Sequence, residues 1–363
     1  MRESKVKRIF RNAEKEVDII ILKNATDPHI DQSFFYVTGL TSGLFEGASA
    51  LLYPDGKLEV ITSPLEEESA RKGDFRVTVY RSREKAAKLL ENRLRGMKRI
   101  GVNNDELTCR DYFQLKKTVK NGKLLDVSAA IRKTRVTKDD EELARMRTAC
   151  DIASAVAARI PGILRQGVRE SDIAAEVSYQ MRKAGAQHDA FTTICAFGPN
   201  SAEPHYTSGE RKLASGDFVV IDYGASYKKY CSDITRTFVC GKASARHREI
   251  YALVKELQEL ALDEIRAGAE GKPVQEVVDK KVAKTKYRGR FTHGIGHSLG
   301  LCAHDGYGFA YPPELVLEEN MVFTVEPGIY LPGFGGVRIE DDIVVTKKGY
   351  KLLTHADRNL ISV

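Results

Sequence analysis

Five side chains of this sequence have the types and surroundings of a metal site. Asp222 and Asp233 lie in VVIDYGASYKKYCSDITRTF, His297 in HGIGHSLGLCAHD, and Glu326 and Glu340 in VFTVEPGIYLPGFGGVRIEDDIVV. Four carboxylates brought together without cations repel, and their pKa values rise until some hold protons. Divalent ions remove that repulsion. One imidazole with four carboxylates is an oxygen-rich donor set that suits Mn²⁺, Co²⁺, Fe²⁺ or Zn²⁺. Two such ions would acidify a water held between them and polarise a carbonyl, which is what amide hydrolysis requires. An HExxH zinc motif is absent, and the glycine spacing around His297 is not that of a dinucleotide fingerprint.

The elements that must position these residues are hairpins. With a turn centred between Tyr227 and Lys228, Asp222 and Asp233 oppose each other directly across two strands, with Cβ atoms about 4.5–5.5 Å apart. Glu326 and Glu340 repeat the arrangement across a turn near Gly333, where Pro332, Gly333, Gly335 and Gly336 supply bend residues. Acidic residues commonly flank turns. Asp222 and Glu326, however, follow the strongly apolar strands VVI and MVFTV, and a charge entering a core strand needs a partner. His293, His297 and His304 are three of eight histidines in the chain. Gly294, Gly296 and Gly300 interleave them, which predicts an irregular turn leading into a strand, with the backbone passing close to another segment. Three surface histidines at a flexible turn is the alternative.

Around these motifs the second half of the chain alternates amphipathic helices with hairpins. Ile173, Val177 and Met181 mark one helix, with Ser171 or Asp172 as its cap and Gly185 as its stop. Ile250, Leu253, Val254, Leu257, Leu260 and Ala261 mark a second, ended near Gly268. Pro273 suits the first turn of a third. The first half reads as a small α/β domain. VDIIILKN is a buried strand, SALLYPDGKLEVIT a hairpin turning at Pro54-Asp55-Gly56, and SREKAAKLLENRL a helix. A charged helical stretch without Gly or Pro opens near residue 130, which predicts a stiff join.

A chain of 363 residues suits two domains, and 42% hydrophobic content can fill their cores. The net charge of +7 is scattered, so no nucleic-acid partner is expected. Cys109, Cys150, Cys195, Cys231, Cys240 and Cys302 form no CxxC and are irregularly spaced, which points to reduced thiols in a cytoplasm. The N-terminus lacks an apolar signal region, and the run Ile19–Leu22 is far too short to span a membrane.

In combination, VVIDYG, SDITRTF, HGIGHSLGLCAHD, TVEPGIY and VRIED resemble the Xaa-Pro peptidases, aminopeptidase P and prolidase, of the pita-bread metallopeptidase superfamily. The resemblance covers nearly the whole chain. It implies an α+β molecule: a creatinase-like α/β domain over residues 1–127, then a pita-bread catalytic domain over 128–363, a curved antiparallel sheet with flanking helices. It implies two divalent metal ions, with Asp222 on one, His297 and Glu326 on the other, and Asp233 and Glu340 bridging both. His205, in SAEPHYTSGE, and His304 match residues that contact substrate and the reacting carbonyl. His293 matches one near the proton path, and Arg338 and Thr235 match residues that orient the ligand carboxylates. Glu326 is the candidate to take and pass on the proton. A homodimer is implied, with the small domain near the partner's active-site mouth.

The substrates so implied are peptides with proline at the second position. Proline's tertiary amide has no N–H, so its pocket must recognise ring shape, and Tyr206, Tyr307 and Phe309 are candidates to form it. The chain departs from the pattern at Ala303, where a β-branched residue is usual, and at Lys229, where a small one is. No Lys or Arg lies between His304 and Arg338, where many prolidase-like sequences carry an Arg able to hold a dipeptide's terminal carboxylate. That absence favours an Xaa-Pro aminopeptidase over an Xaa-Pro dipeptidase. A methionine aminopeptidase would lack the N-terminal domain, and a creatinase-type hydrolase would not need all five ligands. A non-catalytic peptide-binding relative would need neither the intact ligand set nor His205 and His304.

Overall fold

In a computed structural model that describes residues 4–119 and 121–363, the apolar run beginning at Ile19 forms a strand, Ile19–Lys23, near the centre of a six-stranded sheet. The sheet order is Arg76–Val79, Leu58–Thr62, Ser49–Leu52, Ile19–Lys23, Arg99–Val102, Lys123–Asp126. The Ser49 and Leu58 strands pair as the expected antiparallel hairpin, while the Ile19 strand runs parallel to Arg99–Val102. Helices Arg83–Leu94 and Cys109–Thr118 bring Leu90, Leu94 and Leu115 onto Ile19, Ile21, Ile61, Ile100 and Val102. Burying each such side chain is worth about 1.5–3 kcal/mol.

This unit runs to Arg135, and a second runs from Val136 to Val363. The division falls later than the 127/128 boundary expected from sequence. The helix Ser128–Val136 is held by the first unit, through hydrogen bonds from Tyr36 Oη to the Thr134 carbonyl and from Arg135 Nη1 to Ser33 Oγ.

In the second unit, the helix Glu170–Lys183 buries Ile173, Val177 and Met181 against Cys195, Phe197, Val219, Ile221 and Tyr223 of the sheet. Its cap is Arg169, not Ser171 or Asp172, because Glu170 already lies in the helix. The helix Ala245–Asp263 starts at a capping box of Ser244 and His247, and Lys272–Ala283 carries Pro273 in its first turn. Both cover a core that includes Phe323, Val325, Ile339 and Ile343.

The first hairpin pairs Phe218–Tyr223 with Ile234–Val239, placing Thr235 opposite Asp222. Its turn centres between Lys228 and Lys229, both at positive φ (47° and 74°), one step beyond the expected position. Asp222 and Asp233 are therefore diagonal neighbours on one face rather than directly opposed. The second hairpin pairs Val325 with Asp341 and Gly328 with Arg338, and the same register places Glu326 opposite Glu340 between the two ladders. There the Glu326 N–H turns to the Ile295 carbonyl and the Glu340 N–H to the Thr235 carbonyl.

Those diversions join the hairpins. Arg236 donates to Asp341 Oδ1 at 2.6 Å, and Thr237 Oγ1 donates to the Arg338 carbonyl while accepting the Arg338 N–H. The strand carrying Thr235 is thus stitched to the segment carrying Glu340, and carboxylates from both hairpins face one another.

Candidate active site

The histidine segment reaches the hairpins through close backbone contact. Gly296 lies so near the second hairpin that a Cβ there would stand 2.0 Å from the Thr324 carbonyl oxygen. The Thr324 N–H donates to the His297 carbonyl, and Thr324 Oγ1 accepts the His297 N–H. This docking sets His297 Nε2 at 3.3 Å from Glu326 Oε1 and 3.8 Å from Asp233 Oδ2. Ligand atoms of Asp233, His297 and Glu340 all lie within 4.8 Å of one another.

Asp222, Asp233, His297, Glu326 and Glu340 line one cavity of about 360 Å³, together with His205, His293, His304 and Arg338. Asp222 stands somewhat apart, its Oδ2 accepting from Arg338 Nη2 at 2.6 Å. Arg338 Nε donates to Thr235 Oγ1, whose own hydroxyl donates to Glu340 Oε2 at 2.6 Å. Arg338 and Thr235 thereby tie Asp222 to Glu340.

The electrostatics call for cations. Burial, with the charges of Glu340 and Asp222, holds the Asp233 carboxyl well above the usual range, and burial with Glu326 and Asp222 does the same to Glu340. Burial, partly offset by Arg338, pushes Glu326 up to about 8. Burial also drives His297 down to about 3 and His293 to about 4, so both rings are neutral. His297 Nδ1 faces the Ser298 carbonyl and must donate to it, which leaves the Nε2 lone pair aimed at carboxylate oxygens. Buried Asp222 Oδ1 and Asp233 Oδ1 have no hydrogen-bond partner. A lone pair facing carboxylates, two orphaned carboxylate oxygens and one arginine against four acids fit divalent ions held by Asp222, Asp233, His297, Glu326 and Glu340.

His304 stacks on the His297 ring at 3.8 Å between centroids, and both His304 and His205 are exposed on the cavity rim. Tyr330, unremarked in the sequence beyond its motif, receives a hydrogen bond from Arg338 Nη1 and donates to His293 Nε2 at 2.8 Å. Asp342 accepts the Asp233 N–H at 2.8 Å and a bond from Cys150 Sγ. The signal for Asp342 was strand alternation, which puts it on the same face as Glu340.

The three expected proline-pocket residues are elsewhere. Phe309 is buried in the core, stacked on Phe323 at 4.5 Å, because its segment folds inward under the Lys272–Ala283 helix region. Tyr307 packs against the same core, and the Tyr206 hydroxyl is taken by Glu170 and Asn200. The apolar wall is formed instead by Phe191, Ile194, Pro204 and Ala303.

Residues 144–347 match metallopeptidase family M24, and residues 6–137 match the creatinase/prolidase N-terminal domain. The chain belongs to metallopeptidase family M24. This M24 metallopeptidase is 36% identical to the Xaa-Pro dipeptidase of Pyrococcus horikoshii over 98% of each chain. Its fold matches an Xaa-Pro dipeptidase from Bacillus anthracis (TM-score 0.91, 33% identity, 99% of both chains). It also matches an X-Pro aminopeptidase from Thermotoga maritima (TM-score 0.89, 30% identity, 98% of this chain and all of the other). The architecture is thus a creatinase-type N-terminal domain followed by a pita-bread domain. Among the described residues no helix is long and apolar enough to cross a membrane.

Proposed function

We propose that this metallopeptidase hydrolyses the bond before proline at the N-terminus of short peptides, using two divalent ions held by Asp222, Asp233, His297, Glu326 and Glu340. The observation that carries the reading is the neutral His297 Nε2, aimed at Glu326 and Asp233 in a cavity whose rim presents two further histidines. Ions so held would supply Lewis acidity, polarising the scissile carbonyl and acidifying water.

The remaining work falls to side chains. His205 and His304 donate to the oxygen that gains charge as the carbonyl carbon becomes tetrahedral. Glu326, 3.3 Å from His297 and 4.0 Å from His293 Nδ1, takes a proton and delivers it to the leaving nitrogen. Arg338, held by Tyr330 and Thr235, keeps Asp222 oriented. Phe191, Ile194, Pro204 and Ala303 receive the proline ring by shape.

Two substrate lengths compete. Arg338 is the one lysine or arginine on the cavity wall among the described residues, and Asp222 engages it. With no cation to spare for a dipeptide's carboxylate, Xaa-Pro-Yaa peptides should be cleaved at least as well as Xaa-Pro. Relatives named Xaa-Pro dipeptidase, at 36% and 41% identity, support the opposite order. Release of the first residue from Xaa-Pro and Xaa-Pro-Yaa, with Mn²⁺, Co²⁺ or Zn²⁺ added after chelation, tests both. No release with any ion removes the proposal. A dipeptide preference in kcat/KM above about tenfold, roughly 1.4 kcal/mol, assigns a dipeptidase. We place the chain in the cytoplasm, on six irregularly spaced cysteines that form no CxxC, and as a homodimer, which a single-chain mass by light scattering would overturn.

A further inference from the structure

We propose that Glu170, acting through Tyr206, is the positioning residue for His205. The inference rests on the reading of His205 as a donor to the reacting carbonyl.

Glu170 is fully buried at the start of the helix Glu170–Lys183, 0% exposed, and its side-chain hydrogen bonds come from neutral groups. Its Oε1 accepts from the Phe197 N–H at 2.8 Å and from Asn200 Nδ2 at 3.0 Å. Its Oε2 accepts from the Tyr206 hydroxyl at 2.9 Å and from the Gly209 N–H at 3.2 Å. Asn200 Nδ2 also donates to the Tyr206 oxygen at 2.7 Å, closing a triangle. A carboxylate satisfied by neutral donors alone is stable here because it sits at the positive end of the helix dipole.

All four donors belong to one segment, 197–209, and that segment carries His205. Its beginning is fixed independently. Ser201 Oγ accepts the Gly336 N–H at 2.8 Å, and a Cβ on Gly336 would stand 2.1 Å from the Ser201 carbonyl oxygen. Gly336 lies two residues before Arg338 on the strand Gly335–Arg338. The exposed His205 is therefore suspended between a strand of the ligand frame and the helix start, one residue from the tyrosine that Glu170 grips. Surface packing alone would not hold a rim histidine; this buried carboxylate gives its loop one geometry. A misplacement of about 1 Å can cost on the order of 10²-fold in rate.

The experiment compares wild type, Tyr206→Phe, His205→Ala and the double variant on an Xaa-Pro peptide, with bound metal measured for each. Tyr206→Phe is expected to lower kcat about tenfold, with KM and metal content within twofold. In the His205→Ala background the same change should cost less than twofold. A kcat within twofold of wild type, or a tenfold loss that persists without His205, overturns the inference. Hydrogen exchange provides a second measurement that needs no substrate. Glu170→Gln should accelerate exchange at the Phe197 and Gly209 amides and leave the middle of the helix Glu170–Lys183 protected. Unchanged exchange at those two amides overturns the anchor. A wild-type chain that cleaves no Xaa-Pro peptide overturns the functional reading and the role of His205, and the exchange result separates that failure from failure of the anchor.

Discussion

On one side of the cavity, Asp222, Asp233, Glu326 and Glu340 come from hairpin strands whose residues are almost all buried. On the other, His205 and His304 stand exposed on loops. The carboxylates are aimed by the ladder register, with Arg338 holding Asp222, Thr235 holding Glu340 and the Arg236–Asp341 pair joining the two hairpins. The rim histidines have no ladder. Each loop is pinned by one buried carboxylate: Glu170 for His205, and Asp305 for His304, which lies beside Lys138 at 3.5 Å and donates its N–H to the Ser298 carbonyl. A rigid sheet suits the proposed ligands, where a small displacement would lose an ion. Loops suit groups that must meet a substrate entering from solvent.

Breaking the ligand side should do the most damage. Asp233→Ala or Glu340→Ala should abolish bound metal and lower kcat/KM by well over about 100-fold, more than loss of an outer partner costs; mass spectrometry and peptide turnover check this. Retained metal with full activity would place the ions elsewhere. On the rim, His304→Ala and His205→Ala should each lower kcat by roughly 10²–10³ while metal content stays at the wild-type level. A rim variant that loses its metal would mean that a ligand had been mistaken for a substrate contact.

Arg338→Met sharpens the comparison from the stability side. It strands buried Asp222, and breaking such a pair costs about 3–5 kcal/mol. Thermal melts of metal-free protein should show the loss, and added divalent ion should recover part of it.

The remaining effect expected is on pH dependence. Burial raises Glu326 from 4.5 to about 8, and Asp233 and Glu340 shift in the same direction. A carboxyl whose folded pKa is raised contributes stability that is full below its unfolded value and is lost as pH rises through its folded value. Metal-free protein should therefore melt at progressively lower temperature between about pH 4.5 and pH 8, the window set by Glu326. Saturating metal should flatten that slope; a metal-free Tm that rises over the same window would show that the carboxylates do not converge in solution.

Local chemistry made much of this molecule legible. The apolar run at Ile19, the Pro54-Asp55-Gly56 turn, the spacing of Ile173, Val177 and Met181, and the bend at Gly333 each pointed to the element that forms, because propensity and periodicity act over a few residues. Asp222 and Glu326 drew attention for a related reason: charges following apolar strands are rare without a partner. Other features depend on segments far apart in the chain. The first hairpin turns on Lys228 and Lys229, left-handed without the Asn or Gly that would announce it, so its carboxylates are diagonal. Tyr206 was chosen as a pocket residue for its ring, yet its hydroxyl is bound by Glu170, 36 residues earlier. Ile194 joins the pocket wall because its strand pairs it with Asp222. Residue types decided which chemistry this chain can hold. Register and long-range burial decided which atoms face one another, because those depend on partners that no local pattern encodes.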